Sequence, residues 1–174
     1  MQTPLAGFAS KKKMPKTRIT ALLHACNDAL HLGRALDSLR PCDEVIVVDH
    51  GSSDDTAKVA REHGAKLVQA VNGVDRGAYV QDAGHDWILC LRPSEALTEE
   101  LEASLHEWRE SEHADNVLGF NIAIREQNGN GWKFLPPEMR LANRNQINWT
   151  GDLPPENPNA PSLAGQILRI PPME

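Results

Sequence analysis

Short apolar runs alternate with helical patterns over the first two thirds of the chain. Each run is short, mostly apolar and ends at a turn or at polar residues, which is typical of strands buried inside a sheet. Between the runs, apolar residues recur with the spacing of amphipathic helices. This order predicts a parallel sheet with right-handed crossovers. The predicted strands are 19–25, 44–49, 66–70 and 87–91, and the predicted helices are 29–39, a second that ends at 62, 77–83 and 99–110.

The pattern changes after Asn116. A strand followed by a cluster of turn residues predicts a hairpin, and this indicates a small antiparallel element toward the C-terminus. The predicted strands of this part are 117–125, 139–142, 146–149 and 166–170, with the hairpin turn at 127–131 and an irregular loop at 152–161.

The most informative segment is residues 43–56, which read DEVIVVDHGSSDDT. An apolar strand ends at Asp49, a tight turn follows, and a helix begins. Ligands of open α/β sheets bind at the carboxyl ends of strands, so the Asp49 carboxylate is a candidate ligand contact. The alternative is that Asp49 only holds the turn, by accepting hydrogen bonds from the amides of the two following serines. Asp54 and Asp55 are interpreted as helix caps.

Size and charge narrow the classes of function. The chain has 174 residues, 40% hydrophobic and 24% charged, which suits one globular domain. We expect a disordered tail at residues 1–17 and a single domain at residues 18–174. The net charge of −6 provides no basic field, so a nucleic acid is not an expected partner. The basic cluster near the N-terminus is interpreted as part of a solvated arm.

Targeting signals and cysteine usage suggest the compartment. No apolar run approaches the ~20 residues of a membrane span, and the N-terminus does not have the pattern of a secretory signal. The three cysteines are an odd number without close pairing. Reduced thiols and a cytoplasmic location are therefore predicted.

Three parts of the sequence together resemble the family 2 glycosyltransferases, which have the GT-A fold. The first is the strand 19–25 with Asn27-Asp28 behind it, and the second is the block 36–67, which includes DEVIVVDHGSSDDT. The third is 87–97 with the helix that follows. The resemblance covers residues 19–110 and, faintly, 117–152, and the subgroup that acts on lipopolysaccharide core sugars is the most similar.

This resemblance implies an α/β fold of the GT-A type, in which helices flank a mainly parallel sheet. It also implies that the partner is a nucleotide or nucleotide sugar. Asp49 takes the position of the family's acid that contacts the base, and Ala25 and Asn27 line the base and ribose pocket. Gly51, in the turn after Asp49, belongs to the same pocket.

Two further positions follow from the resemblance. The segment between the third and fourth strands is shorter than in the family, and Arg76 is its candidate phosphate contact. Asp152 is the candidate general base in a C-terminal half that is also short. The alternative for Asp152 is an ordinary loop acid that precedes a proline pair.

The family pattern breaks after the fourth strand. The family has Asp-x-Asp there, and these acids hold a divalent cation against the diphosphate. This chain reads Arg92-Pro93-Ser94-Glu95 instead. No magnesium or manganese cofactor is therefore expected. The predicted function is a glycosyltransferase-like protein whose metal-dependent sugar transfer is impaired or absent.

Three alternatives remain open. Arg92 could grip the diphosphate in place of a metal, in an active metal-independent transferase. The chain could instead be a non-catalytic binding or scaffolding protein. His24 and Cys26 share one face of the first strand, and Cys90 on a neighbouring strand would complete a metal site. A small buried hydrophobe is the favoured role for such cysteines. The sequence indicates neither donor, acceptor nor oligomeric state.

Overall fold

The computed structural model describes residues 16–112 and 116–171. Within these residues, the strands form one eight-stranded sheet of order β3-β2-β1-β4-β7-β6-β8-β5. The strands are β1 (Ile19–Ala25), β2 (Glu44–Asp49), β3 (Lys66–Gln69), β4 (Trp87–Cys90), β5 (Glu95–Leu97), β6 (Gly119–Asn128), β7 (Gly131–Asn143) and β8 (Ser162–Arg169). The helices are α1 (Ala29–Asp37), α2 (Thr56–Glu62) and α3 (Glu99–Glu110), with a 3₁₀ helix at Arg76–Asp82.

Strands β1 to β4 form a parallel half-sheet, as the alternating pattern predicts. The ends of β1 and β2 are level, because Ala25 is the register partner of Asp49. The remaining strands form a mixed half, in which β7 runs antiparallel to both β4 and β6. The predicted α/β fold is confirmed, and its C-terminal part is antiparallel where β7 pairs with β4 and β6 but parallel between β6 and β8.

Two cores cover the two faces of the sheet. On one face, Leu23 and Ala25 of β1 pack with residues of α1 and α3. On the other face, Leu22 packs with Tyr79 and Val80 of the 3₁₀ helix, and Trp149 lies against this second core. Because side chains alternate along a strand, His24 shares the face of Leu22.

Several predicted boundaries are confirmed and others move. Strands β1 and β2 have the predicted bounds, whereas β3 and β4 end one residue early and the predicted helix at 77–83 is a 3₁₀ helix. The predicted strand at 146–149 is wrong, since this segment is a loop against the second core. Strand β5 was not predicted. Its three residues pair with β8 and are too few to show a periodicity.

The predicted tail lies outside the described residues except for Lys16 and Thr17. The Thr17 amide donates to the Arg109 carbonyl at 2.9 Å, so this last part of the predicted tail is attached to the end of α3. Within the two described ranges, no helix is long and apolar enough to cross a membrane.

Candidate functional site

The loop after β2 is built around Asp49. Its side chain is 4% exposed, and Oδ1 accepts hydrogen bonds from the Ser52 amide at 3.0 Å and the Ser52 hydroxyl at 2.6 Å. Oδ2 accepts no hydrogen bond from the described part of the chain. One oxygen therefore holds the turn through Ser52, as the alternative interpretation expected, but the Ser53 amide of that interpretation donates to Asn27 instead.

Asn27 fastens the loop after β1 to the loop after β2. It adopts φ of 56°, which is uncommon outside glycine but tolerated by asparagine. Its Oδ1 accepts from the Ser53 amide at 2.8 Å and the Asp54 amide at 3.3 Å, and its own amide donates to Ser52 Oγ at 2.9 Å. Asn27 thus has a structural role that its predicted position in a nucleotide pocket did not indicate.

Asp54 holds the start of α2 and also contacts α1. Its Oδ1 accepts from the amide and hydroxyl of Thr56, and its Oδ2 accepts from the Ala29 amide at 3.2 Å. The hydrogen bond from the Thr56 hydroxyl is the main reason that the pKa of Asp54 lies below its usual value. Asp55 occupies the N-cap position, but its side chain makes no capping hydrogen bond. The capping prediction is therefore confirmed for Asp54 and wrong for Asp55.

Ala25 and Gly51 complete the edge formed by these loops. Ala25 is buried, and its carbonyl accepts from the His50 amide at 2.9 Å. Gly51 has φ of 76°, and a methyl group there would contact nothing within 4 Å. The backbone conformation alone therefore favours glycine. The structure brings Ala25, Asn27, Asp49 and Gly51 together, as the resemblance implied.

A histidine pair lies on the opposite face of the same edge. His24 Nδ1 and His50 Nε2 are 2.8 Å apart, and Tyr79 packs edge-on against both rings. Burial lowers the pKa of His24 to about 4 and also lowers the pKa of His50, so both rings are neutral at pH 7. A histidine lies near the end of each of the first two predicted strands. This was the sequence signal that could have revealed the pair.

The alternative metal site of His24, Cys26 and Cys90 does not form. The Cys26 thiol donates to the His50 carbonyl at 3.3 Å, and burial raises the pKa of the Cys90 thiol to about 12. Within residues 16–112 and 116–171, no group of three or more His, Cys, Asp or Glu side chains could hold a metal ion. All three cysteines of the chain have free thiols.

Arg76 and Asp152 form an ion pair with each other. Arg76 Nη1 lies 3.1 Å from Asp152 Oδ1 and 3.0 Å from Oδ2. Both charges influence the pKa of His24, which places the pair near the histidines. The structure thus brings the candidate phosphate contact, Arg76, next to the candidate base, Asp152, and each side chain is engaged in this ion pair.

The segment after β4 carries Arg92 and Glu95 in different environments. Arg92 is exposed and makes no ion pair within the described ranges. Glu95 is fully buried, and Arg140 binds both of its oxygens, with Nη1 at 2.7 Å and Nη2 at 2.9 Å. Arg169 Nε adds a contact at 3.0 Å, and the Arg92 amide donates at 2.8 Å.

These contacts leave Glu95 charged in spite of its burial. Burial alone would raise its pKa, but the hydrogen bonds and positive charge of Arg140 outweigh burial and hold the pKa below its usual value. The carboxylate in turn raises the pKa of Arg140. Nothing local in the sequence indicated this pair, because its members lie 45 positions apart.

No model of a known protein family matches the chain. An uncharacterized glycosyltransferase of Rickettsia felis is 32% identical over 111 residues, which are 62% of this chain and 39% of that relative. The lipopolysaccharide core biosynthesis glycosyltransferase LpsC of Rhizobium meliloti is 34% identical over 50 residues, 29% of this chain and 18% of LpsC. The crystal structure of S. aureus TarS 1-349 superposes with a TM-score of 0.51 and 18% identity, over 69% of this chain and 38% of that one.

The chain has a GT-A-like glycosyltransferase fold. Its sequence is also similar to glycosyltransferases over 111 residues, so the resemblance found in the sequence is confirmed. The chain spans only 39% of the length of the Rickettsia felis relative.

Proposed function

We propose that this glycosyltransferase-like chain binds a nucleotide or nucleotide sugar at the edge formed by Ala25, Asn27, Asp49 and Gly51. We further propose that its metal-dependent sugar transfer is impaired or absent. The observation that carries the second part is the environment of Glu95, whose two carboxylate oxygens are both bound by arginines in the protein interior.

The nucleotide part rests on the loop after β2. Asp49 Oδ1 holds the turn, which fixes the orientation of Oδ2 at the carboxyl end of a parallel strand. Such an oxygen can accept a hydrogen bond from a base N–H group, and ligands of open α/β sheets bind at this edge. The similarity to named glycosyltransferases supports a nucleotide sugar as the ligand class.

The donor set after β4 does not fit a magnesium or manganese ion. Both ions prefer oxygen ligands and require carboxylates with free lone pairs. Arg92 brings a positive charge, and Pro93 has no side-chain donor atom. The Ser94 hydroxyl is a single neutral oxygen, and the Glu95 oxygens are already occupied. A cation recruited by Glu95 would have to displace Arg140, which would leave the buried guanidinium with Glu138 as its remaining carboxylate partner among the described residues.

The two functional alternatives from the sequence, a metal-independent transferase and a scaffolding protein, need different features at the site. A metal-independent transferase would use Arg92, whose exposed side chain is available to an anion. Its candidate base, Asp152, is occupied by Arg76. A scaffolding protein would need no nucleotide at all. Because Asp49 keeps one oxygen free, we favour nucleotide binding over scaffolding.

Replacing Asp49 with asparagine tests the proposed nucleotide contact. Asparagine keeps an oxygen for the Ser52 hydrogen bonds but replaces Oδ2 with an amide that cannot accept. We expect UDP or GDP to raise the melting temperature of the wild-type chain, since ligand at ~100 times its Kd stabilises by about 2.7 kcal/mol. In Asp49→Asn we expect binding to weaken by about tenfold or more, because hydrogen bonds to charged groups contribute roughly 1.5–3 kcal/mol.

Asp55→Asn is the matched control. It removes the same charge from the same loop, but Asp55 is exposed and makes no capping hydrogen bond. Its nucleotide affinity should equal that of the wild type. Equal affinity in Asp49→Asn, with the fold intact, would contradict the proposed contact.

A further inference from the structure

Residues 149–153 cross the face of the sheet that carries the histidine pair, and we call them the strap. Trp149 and Leu153 pack on the second core. A methyl group on Gly77 would overlap the Trp149 carbonyl and lie 2.8 Å from the Thr150 Cα, so only glycine permits this approach. The strap is therefore seated closely on the 3₁₀ helix.

Polar contacts hold the strap at its middle. Asp75 Oδ2 accepts from the Gly77 amide at 2.9 Å and from the Gly151 amide at 3.4 Å. Next to this contact, Asp152 binds Arg76 through both carboxylate oxygens. The carboxylate also acts on the pKa of His24 and of Cys90, which places the strap near the ends of β1 and β4.

Two features favour release of the seated strap. The side chains of Arg76 and Asp152 are 46% and 37% exposed, and ion pairs this open to water contribute little to stability. The indole Nε1 of Trp149 is buried without a hydrogen-bond partner in the described ranges. A buried donor without a partner favours any rearrangement that returns it to water.

We propose that the strap is a lock on Arg76, which Asp152 occupies until a nucleoside diphosphate takes its place. This inference rests on the proposed function and adds a regulatory step to the same site. A diphosphate carries more charge than one carboxylate and matches the planar fork of a guanidinium. Its binding frees Asp152 and releases the strap from the 3₁₀ helix.

The affinity for UDP tests the competition. In Asp152→Asn the competing charge is gone, so we expect UDP to bind about threefold to tenfold more tightly than to the wild type. Uridine has no phosphate and should bind both proteins equally. The matched control is Glu156→Gln, which removes an exposed acid four positions further along the chain and should leave UDP affinity unchanged.

Hydrogen exchange in the full chain tests the release itself. Amides of residues 149–153 should exchange faster in Asp152→Asn than in the wild type, without any ligand. In the wild type, saturating UDP should raise exchange in the same segment. The lock alone would be overturned if UDP bound Asp152→Asn no more tightly than the wild type and did not raise exchange of residues 149–153 in the wild type. Absence of UDP and GDP binding in every variant would overturn the proposed function and the lock with it.

Discussion

Replacing Arg140 with methionine is expected to lower the free energy of unfolding by about 3–5 kcal/mol, the usual cost of breaking a buried ion pair by removing one partner. Arg140 and Glu95 are both fully buried. Without the guanidinium, Glu95 keeps only the Arg169 contact and the Arg92 amide. Urea denaturation followed by circular dichroism measures the change.

A second variant separates lost charge pairing from lost packing. Glu95→Gln in the Arg140→Met background leaves no ionised carboxylate at position 95, so the double variant should be less destabilised than the sum of the single changes. Arg61→Met, on the exposed side of α2, is the control and should change stability by no more than about 0.5 kcal/mol. A loss below about 1 kcal/mol in Arg140→Met would contradict a structural role for the pair.

Gly165→Ala is expected to cost roughly 2–5 kcal/mol, the sum of left-handed backbone strain and overpacking. Gly165 has φ of 99°, and a methyl group there would lie 2.6 Å from the Leu101 Cα in the first turn of α3. Strand β8 approaches α3 this closely because residue 165 has no side chain. Denaturant midpoints measure the loss.

Gly129→Ala is its matched control. Gly129 also has a positive φ, 61°, but open space surrounds it in the turn between β6 and β7. Only the backbone strain of about 1–2 kcal/mol should appear there. Equal losses in the two variants would show that the contact with α3 contributes nothing.

The parallel half of the fold could be predicted because its information is local. An uninterrupted apolar run and a turn mark the end of β2, and a mostly apolar run followed by polar residues marks the end of β1. Level strand ends then bring Asp49 beside Ala25 without further information. This is why the sequence could predict that Ala25 and Asp49 lie side by side at one edge of the sheet.

The mixed half depends on partners that are distant in sequence. Strand β5 exists because β8 pairs with it, and Glu95 is buried because Arg140 arrives from β7. The predicted strand at 146–149 failed for the same reason. Ile147 and Trp149 alternate with polar residues as in a strand, but no neighbouring strand pairs with this segment within the described ranges, and Trp149 packs on the second core instead.

The contact that Asp152 makes in the structure could not be predicted from the sequence. The sequence marked it as an acid near a proline pair, and the resemblance made it a candidate base. Its ion pair with Arg76 joins a loop to the start of the 3₁₀ helix, 76 positions away in the sequence. No periodicity reports a contact of that kind, because it depends on how the loop after β7 returns across the sheet.

The most direct test of the account is calorimetric titration of UDP and GDP into the full chain, first with saturating manganese and then with EDTA. If nucleotide binding needs no metal, the dissociation constants measured with manganese and with EDTA should agree within about threefold, a difference of less than 1 kcal/mol. Manganese that tightens binding by tenfold or more would contradict it, because the Glu95 position would then hold a cation after all.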